Sequence, residues 1–329
     1  MSGFTDDQRV PLGRSDLEVS RLGFGTMPLS GVYGPIDSHD AANLLRTVLD
    51  AGVDFVDTSS YYGGGTVERA VGRAVKGRRH EVVIGTKFGM DRVGLGSAHH
   101  VRASLHQSLR RLGTDYIDIY YLHQIDPTTP IQDTVGALGD LVSEGLIRAV
   151  GLSEVTTETL RRAHSTYPIA AVQHEYSLLE RTAEVELLPT ARELGITLVA
   201  YSPLGRGLLS GAIRRPEDVP SDDGRRRRYP RFDEGHLARN IAAVEPLFRL
   251  AKRHGTTPAD LALGWVLAAH NVITIPGTRR LANFEENLET SRGIQDADVT
   301  RWLSRHFPIG RAYGARYAEP VMTRLDEAP

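Results

Sequence analysis

Eight times along the 329-residue sequence, an apolar stretch typical of a buried strand is followed by an amphipathic helix pattern. Strands rich in Val, Ile and Leu are typical of a parallel sheet that is covered on both faces. Eight such units predict an α/β protein with a closed (β/α)8 TIM barrel rather than an open doubly wound sheet. The strand candidates are "SRLGFGTM", "VDFVD", "EVVIGTKFG", "YIDIYYLHQ", "IRAVGLSE", "IAAVQHEY", "ITLVAYSPLG" and "VITIPGTRR".

The helix patterns have recognisable boundaries. In "SHDAANLLRTVLDAG", we expect Ser38 to be the N-cap and Gly52 to follow the end of the helix, with apolar residues on one face.

Barrels of this kind often exceed 250 residues as one unit. We therefore predict a single domain over residues 1–329, with long cofactor and substrate loops and a C-terminal tail at the mouth.

One polar segment, from Gly207 to Asn240, interrupts this rhythm. A loop of this length within a compact domain is usually functional or disordered. It contains four consecutive arginines, Arg225 to Arg228, with acidic residues nearby. Because charge runs commonly face solvent, we interpret this run as a solvated surface, and we treat closure of the loop over a cofactor as a hypothesis.

Composition excludes several classes of function. The formal net charge of −2 gives no reason to expect a nucleic acid or an anionic membrane as partner. The absence of cysteine excludes disulfides, thiolate nucleophiles and cysteine metal sites, and we expect no bound metal. The polar N-terminus lacks a signal-peptide plan and no apolar run is long enough for a membrane helix, so we expect a cytoplasmic protein. The residues do not indicate an oligomeric state.

Polar residues stand where the predicted strands stop. Because the carboxyl ends of barrel strands meet at one mouth, these side chains should converge there. One polar strand end is usually a structural hydrogen bond, but six strands with the same arrangement indicate a site. The residues are Asp57, Lys87, His123, Ser153, Gln173, Tyr201 and Ser202, while the last strand ends at Pro276.

The chemistry of this set favours proton transfer. Tyr62 lies on a glycine-rich loop just beyond Asp57, and a tyrosine with an ordinary pKa near 10 is a poor proton donor at neutral pH. A neighbouring ammonium group lowers that pKa, so we expect Lys87 to tune Tyr62 and Asp57 to keep Lys87 charged. His123 could orient a substrate oxygen. A proton donor aimed at such an oxygen fits carbonyl reduction.

Two later segments have residues suited to a dinucleotide. "AYSPLGRGLLSG" resembles a phosphate-binding turn, and "IPGTRRLANFEENLE" carries hydroxyl and arginine side chains at a helix start. Tyr201 could stack on a flat ring, while Ser153 and Gln173 could bind a carboxamide. The Rossmann fingerprint is missing, so a nicotinamide cofactor would be held in a different way.

Together, seven motifs make the chain similar to the aldo-keto reductase superfamily from about Leu17 to Leu288. Within it, "GLSE" and "SPLGRGLLSG" most resemble a bacterial and plant branch that includes perakine-reductase-like and pyridoxal-reductase-like enzymes. The seven motifs are "DFVDTSSYYGGG", "VVIGTKFG", "YYLHQID", "AVGLSE", "AVQHEYSLLER", "AYSPLGRGLLSG" and "IPGTRRLANFEENL".

The resemblance implies a barrel enzyme that uses NADPH to reduce an aldehyde or a ketone to an alcohol. It places the catalytic tetrad on Asp57, Tyr62, Lys87 and His123, with Tyr62 as general acid. It places cofactor contacts on Thr26, Met27, Asp57, Ser153, Gln173, Tyr201, Ser202, Pro203, Leu204, Arg206, Gly207, Gly277, Thr278, Arg279, Asn283, Glu286 and Asn287.

The sequence departs from the family pattern at two positions. Glu154 stands where many members have asparagine after the carboxamide serine, and Asn283 aligns with an arginine that often binds the 2′-phosphate. Because a guanidinium can pair bidentately with phosphate, Arg279 or Arg280 could substitute, which favours NADPH over NADH. Tyr61 is interpreted as a packing or substrate-wall residue.

Two other functions stay open at this point. One is a cofactor-binding regulatory protein that resembles the potassium-channel β subunits and has little turnover. The other is a barrel in which Lys87 is a Schiff-base nucleophile, as in aldolases, although a lysine kept charged by Asp57 argues against it. The sequence does not identify the carbonyl substrate. We expect its walls to come from the segment from Gly207 to Asn240 and from the tail after Phe307, with Tyr313 and Tyr317.

Overall fold

The computed structural model describes residues 9–34, 36–90, 94–292 and 296–322. Eight parallel strands pair in chain order, and a bridge between Leu22 and Thr274 joins the first strand region to the last. The predicted (β/α)8 barrel is thereby confirmed. Its strands are β3 (Phe24–Gly25), β4 (Phe55–Asp57), β5 (Val83–Phe88), β6 (Ile117–Leu122), β7 (Ile147–Ser153), β8 (Ile169–Glu175), β9 (Thr197–Tyr201) and β10 (Val272–Thr274).

The helices surround the barrel, and buried apolar residues fill the layer between helices and sheet. Their bounds are α1 (Ser38–Asp50), α2 (Thr66–Ala74), α3 (Ala98–Leu112), α4 (Ile131–Ser143), α5 (Thr157–Thr166), α6 (Leu187–Leu194), α7 (Gly224–Arg228), α8 (Leu237–His254), α9 (Pro258–Leu267), α10 (Leu281–Arg292), α11 (Ala297–His306) and α12 (Glu319–Met322).

A short hairpin before the barrel closes one of its ends. Strands β1 (Arg9–Pro11) and β2 (Glu18–Ser20) pair antiparallel. Leu12 and Leu17 from this hairpin pack with the inward side chains near the starts of the barrel strands, such as Phe55. The amino ends of the strands are therefore plugged by apolar side chains, and the opposite, carboxyl end is left for a site.

Alternation along the strands decides which side chains point into the barrel. On β4, Phe55 belongs to the inner apolar cluster and Val56 to the outer one, so Asp57 faces inward again. On β6, Tyr121 faces inward and Tyr120 outward. This two-residue period brings the polar residues at the strand ends into the mouth.

Three local expectations differ from the structure. The N-cap of α1 is Asp37, whose side chain accepts from the backbone N–H of His39, and Ser38 is already the first helical residue. Helix α8 is an additional helix between the long polar segment and α9. The last strand stops at Thr274, two residues before Pro276, where the predicted strand ended.

The polar segment from residue 207 to 240, called here the 207–240 loop, contains α7 and short 3-10 turns. Asp223 caps α7 by accepting from the backbone N–H of Arg225. The prediction of a solvated arginine run is wrong for Arg225 and Arg226, which are half-buried. Arg225 donates to the backbone carbonyl of Arg206 at 3.0 Å, and Arg226 donates to the carbonyl of Val219.

Candidate active site

A buried ion pair lies at the bottom of the mouth. The Nζ atom of Lys87 is 2.5 Å from Oδ1 of Asp57 and donates to the carbonyl oxygen of Thr58 at 2.8 Å. Gln173 donates its amide to the other carboxylate oxygen of Asp57 at 2.8 Å. The side chain of Lys87 is fully buried. The structure thus brings together the predicted aspartate–lysine pair and adds Gln173 as a third member.

Burial and pairing act in opposite directions on these two groups. Burial lowers the pKa of the Lys87 amine, while the carboxylate of Asp57 opposes that change. Burial raises the pKa of Asp57, while Lys87 and Gln173 oppose it. Removing either member would therefore destabilise the fold, because the other would remain as a buried charge without its partner.

Tyr62 and His123 stand beside this pair. The amine of Lys87 is 5.4 Å from the centre of the Tyr62 ring. The rings of Tyr62 and His123 meet edge to face, with centroids 6.2 Å apart. Both side chains are half-buried and line the cavity described below. A phenol and an imidazole are thus available to the same bound molecule, whereas the amine of Lys87 lies behind them.

The pKa directions define the protonation states of these two rings. Burial, together with the nearby carboxylate of Asp57, raises the pKa of Tyr62 well above its ordinary value. The predicted lowering of that pKa by Lys87 is therefore wrong for the protein on its own. Burial and the charge of Lys87 lower the pKa of His123 well below its ordinary value. At neutral pH both rings are uncharged, and Tyr62 carries its proton.

One large cavity of about 1470 Å³ opens at this end of the barrel. That volume exceeds the 300–1,000 Å³ typical of sites for drug-sized ligands and suits a dinucleotide together with a second molecule. The residues predicted to contact a cofactor line it, with the exception of Thr26, which is fully buried. They are Met27, Asp57, Ser153, Gln173, Tyr201, Ser202, Pro203, Leu204, Arg206, Gly207, Gly277, Thr278, Arg279, Asn283, Glu286 and Asn287.

The end of the cavity nearest β10 carries the cationic and hydroxyl side chains suited to phosphate. Arg280 is exposed there, while Arg279 is half-buried and donates to the backbone carbonyl of Tyr33. The hydroxyl of Thr278 accepts from the backbone N–H of Arg280 at 3.0 Å. Gly277 is required where the chain passes close to β3, because a Cβ there would lie 2.1 Å from the carbonyl oxygen of Gly25.

The guanidinium of Arg206 has a partner that the sequence did not predict. It forms a bidentate pair with the carboxylate of Glu175, at 2.6 and 2.9 Å, and lies 4.1 Å from the centre of the Tyr229 ring. Both charged groups are buried. Although burial alone would raise it, pairing with Arg206 holds the pKa of Glu175 at about 2. Arg206 is thus committed to an internal ion pair at the edge of the cavity.

Glu154 joins the barrel to the C-terminal tail, residues 307–322. Its carboxylate lies 2.8 Å from the guanidinium of Arg316 and accepts from the hydroxyl of Tyr201 at 2.8 Å. Since the single proton of Tyr201 goes to Glu154, the hydroxyl of Tyr317 donates to Tyr201, at 2.8 Å. Glu154, one of the two residues that depart from the family pattern, therefore binds the C-terminal tail to the barrel.

The tail and the 207–240 loop both form walls of the cavity. Tyr317 and Val321 line it from the tail, and Arg227 and Arg228 line it from the loop. Tyr61 also lines it and is half exposed, in agreement with its predicted place in a wall. Tyr313 does not line the cavity; its ring packs under the guanidinium of Arg239 at 3.9 Å.

Within the ranges that the structure covers, no group of three or more histidine, aspartate and glutamate side chains is arranged to hold a metal ion. Among the helices of those same ranges, none has both the length and the apolar character needed to cross a bilayer.

Comparison with known proteins decides the family. The model of the Aldo/keto reductase family matches residues 21–304. The chain belongs to the aldo/keto reductase family. It is 41% identical over 319 residues to a probable aldo-keto reductase 1 from Glycine max, a match that covers 94% of this chain and 92% of the relative. This aldo-keto reductase is accordingly an oxidoreductase that acts on carbonyl substrates with a nicotinamide cofactor.

Solved structures support the same assignment. A thermostable aldo-keto reductase in complex with the inhibitor epalrestat superposes with a TM-score of 0.75 at 32% identity, over 91% of this chain and 99% of that one. The glycerol dehydrogenase AKR11B4 from Gluconobacter oxydans gives a TM-score of 0.83 at 28% identity, over 94% of this chain and 100% of that one.

Proposed function

We propose that this aldo-keto reductase reduces an aldehyde or a ketone to an alcohol with NADPH, and that Tyr62 is the general acid. The observation that carries the proposal is the arrangement of Tyr62 and His123 side by side in the cavity wall, with the Lys87–Asp57 pair behind them. A raised pKa keeps the phenol of Tyr62 protonated at neutral pH. Because a raised pKa also makes the phenol a weaker acid, transfer of its proton depends on the ammonium of Lys87, which stabilises the tyrosinate that forms.

The donor set of the cavity fits a dinucleotide phosphate. Arg279, Arg280 and Thr278 would hold the 2′-phosphate, because guanidinium and hydroxyl groups are strong phosphate donors. Ser153 and Gln173 would hold the carboxamide, and the ring of Tyr201 offers a surface for stacking. When bound, the reduced nicotinamide supplies the hydride that the carbonyl carbon accepts.

The protein's own residues handle the proton and the orientation of the substrate. The neutral imidazole of His123 donates a hydrogen bond to the carbonyl oxygen and turns it toward Tyr62. As negative charge develops on that oxygen, the phenol of Tyr62 transfers its proton to it. The tyrosinate that remains is stabilised by the nearby ammonium of Lys87, whose charge is matched by Asp57.

The burial of Lys87 argues against the Schiff-base alternative. Its side chain is fully buried, and its amine is held by Asp57 and by the carbonyl of Thr58. A lysine that forms a Schiff base must be neutral and must reach the substrate carbonyl. Trapping with borohydride and an aldehyde, in the absence of cofactor, should therefore leave Lys87 unmodified.

The decisive experiment follows the absorbance of reduced nicotinamide with a panel of aldehydes and ketones. The parent protein should turn over some of them, and Tyr62→Phe should lower kcat by at least about a hundredfold, because general acid catalysis contributes that much. Binding of NADPH, measured by calorimetry, should be retained in Tyr62→Phe. The matched control is Tyr61→Phe, which removes a neighbouring phenol from the cavity wall.

The outcomes of this assay and of the borohydride trapping separate the alternatives. Equal losses in Tyr61→Phe and Tyr62→Phe would contradict the role given to Tyr62. Tight binding of NADPH with no turnover across the panel would instead favour the hypothesis of a cofactor-binding regulatory protein. A borohydride adduct on Lys87 would favour the hypothesis that Lys87 is a Schiff-base nucleophile, as in aldolases.

A further inference from the structure

Ser59 is a buried residue that contacts both Tyr62 and His123 without itself lining the cavity. It follows β4, and its side chain is fully buried. Its hydroxyl oxygen is 3.2 Å from Nδ1 of His123, and its backbone carbonyl accepts from the N–H of Tyr62 at 3.1 Å. One residue thus holds the main chain of Tyr62 and the ring of His123 at the same time.

The direction of the hydrogen bond to His123 follows from the other partners of Ser59. The hydroxyl oxygen already accepts from the backbone N–H of Tyr61 at 3.2 Å. Within residues 9–34, 36–90, 94–292 and 296–322, Nδ1 of His123 is the only acceptor that this hydroxyl hydrogen reaches. Because a buried hydroxyl is normally satisfied, Ser59 donates and Nδ1 accepts.

An accepting Nδ1 fixes the state of the ring. Burial and Lys87 lower the pKa of His123, so the imidazole is neutral at neutral pH and carries one hydrogen. With Nδ1 occupied as an acceptor, that hydrogen must lie on Nε2, because the two ring nitrogens of a neutral histidine take opposite roles. In the opposite tautomer, Nδ1–H would donate to the hydroxyl oxygen, and the buried hydroxyl hydrogen of Ser59 would be left without an acceptor.

We propose that Ser59 is a positioning residue that fixes the Nε2–H tautomer of His123 and so directs its donor toward the carbonyl oxygen of the substrate. The inference rests on the proposed carbonyl reduction, in which His123 must donate rather than accept a hydrogen bond. The hydroxyl of Ser59 acts on the substrate only through His123, since it is not accessible to a bound molecule.

The tautomer can be read directly by NMR. In protein labelled with ¹⁵N-histidine, correlation spectra distinguish the nitrogen that bears hydrogen from the one that does not. The chain has 12 histidines, and loss of one ring signal in His123→Gln assigns the residue. We expect the parent to contain the Nε2–H form at neutral pH. An Nδ1–H form in the parent would overturn the proposal without the need for any variant.

Two serine variants test the cause. Ser59→Ala removes the hydroxyl and keeps the backbone bond to Tyr62, so we expect the two tautomers to mix and kcat to fall about two- to tenfold, the range of one neutral hydrogen bond. The matched control is Ser60→Ala, because the hydroxyl of Ser60 donates instead to the backbone carbonyl of Lys87 at 2.9 Å. Ser60→Ala should leave the His123 signals unchanged.

The remaining outcomes are distinct. An unchanged tautomer in Ser59→Ala would overturn the inference even if kcat falls. Return of the Nε2–H signal in Ser59→Thr, which restores a hydroxyl, would support it. A protein with the expected tautomer in the parent and its loss in Ser59→Ala, but with no carbonyl turnover, would overturn the proposed function and leave Ser59 as the residue that fixes the ring.

Discussion

The carboxylate of Glu154 and the guanidinium of Arg316 form a buried ion pair at 2.8 Å that joins the loop after β7 to the C-terminal tail. Although burial alone would raise it, His174 and Arg316 lower the pKa of Glu154, so it is ionised at neutral pH. The pair also controls the position of Tyr317, which reaches the same carboxylate through Tyr201. Glu154 thus helps to hold the wall that the tail gives to the cavity, together with the contacts that Tyr317 makes with Arg206 and Tyr229.

Loosening of the tail is the first prediction. Glu154→Gln removes the carboxylate that pairs with the buried guanidinium of Arg316. Breaking a buried ion pair costs about 3 kcal/mol or more, and local release of the tail relieves that cost. We expect trypsin to cleave within residues 307–322 at least about tenfold faster in this variant than in the parent. Glu158→Gln, a change at an exposed residue of α5, serves as control. Equal cleavage in both variants would remove Glu154 from this role.

Cofactor preference is the second prediction. Arg280 is exposed at the cavity rim, and in the described part of the chain its guanidinium has no side-chain partner. We expect Arg280→Gln to weaken binding of NADPH about tenfold or more, because a hydrogen bond to a charged group is lost, and to leave binding of NADH nearly unchanged. Calorimetry with both cofactors measures the difference. Arg305→Gln, an exposed change on α11, is the control, and a parallel loss for NADH would contradict the assignment.

The pH dependence of reduction is the third prediction. A lowered pKa keeps His123 neutral at and above its ordinary pKa of 6.5, and a raised pKa keeps Tyr62 protonated up to and beyond its ordinary pKa of 10. Single-turnover rates of carbonyl reduction should therefore be flat between these two values and fall only at higher pH, as Tyr62 loses its proton. A rate that halves between pH 7 and 9, at about the same cofactor saturation, would refute these protonation states.

Stability is the fourth prediction. Glu175→Gln leaves the buried Arg206 without its carboxylate, and we expect the free energy of unfolding at neutral pH to fall by about 3 kcal/mol. Glu175 has a folded-state pKa of about 2 against an ordinary value of 4.5. A lowered pKa stabilises the fold above the ordinary value, so the difference between parent and variant should shrink as pH falls from 4.5 toward 2.

Urea unfolding curves at a series of pH values measure this difference. The control is Glu193→Gln, since Glu193 pairs with Arg161 at the exposed surface and such pairs contribute little. A variant of Glu175 that unfolds at the same urea concentration as the control would contradict the importance of the buried pair.

The strand ends show which features of the site can be predicted from a sequence pattern. Asp57, Lys87 and Gln173 each sit at the end of an apolar run, and the two-residue period of a strand decides that they face inward. Their convergence was predictable, because the barrel brings all carboxyl ends of its strands to one mouth. The resemblance in motifs also identified the family correctly.

The pKa of Tyr62 illustrates where the same reasoning failed. Proximity to Lys87 was predicted correctly, but the balance between burial and charge depends on how deeply each group lies. Depth is a property of the packed cavity walls, including the tail and the 207–240 loop. No spacing of residues along the chain encodes it.

By itself, the sequence determined the barrel, the inward direction of the polar strand ends and the family, because these depend on periodicity and on ordered local motifs. Only the tertiary structure decided which polar groups pair: Glu154 with Arg316, Glu175 with Arg206 and Ser59 with His123. Each pair joins residues far apart in the chain, and a buried polar group takes whichever partner the closed barrel brings within reach.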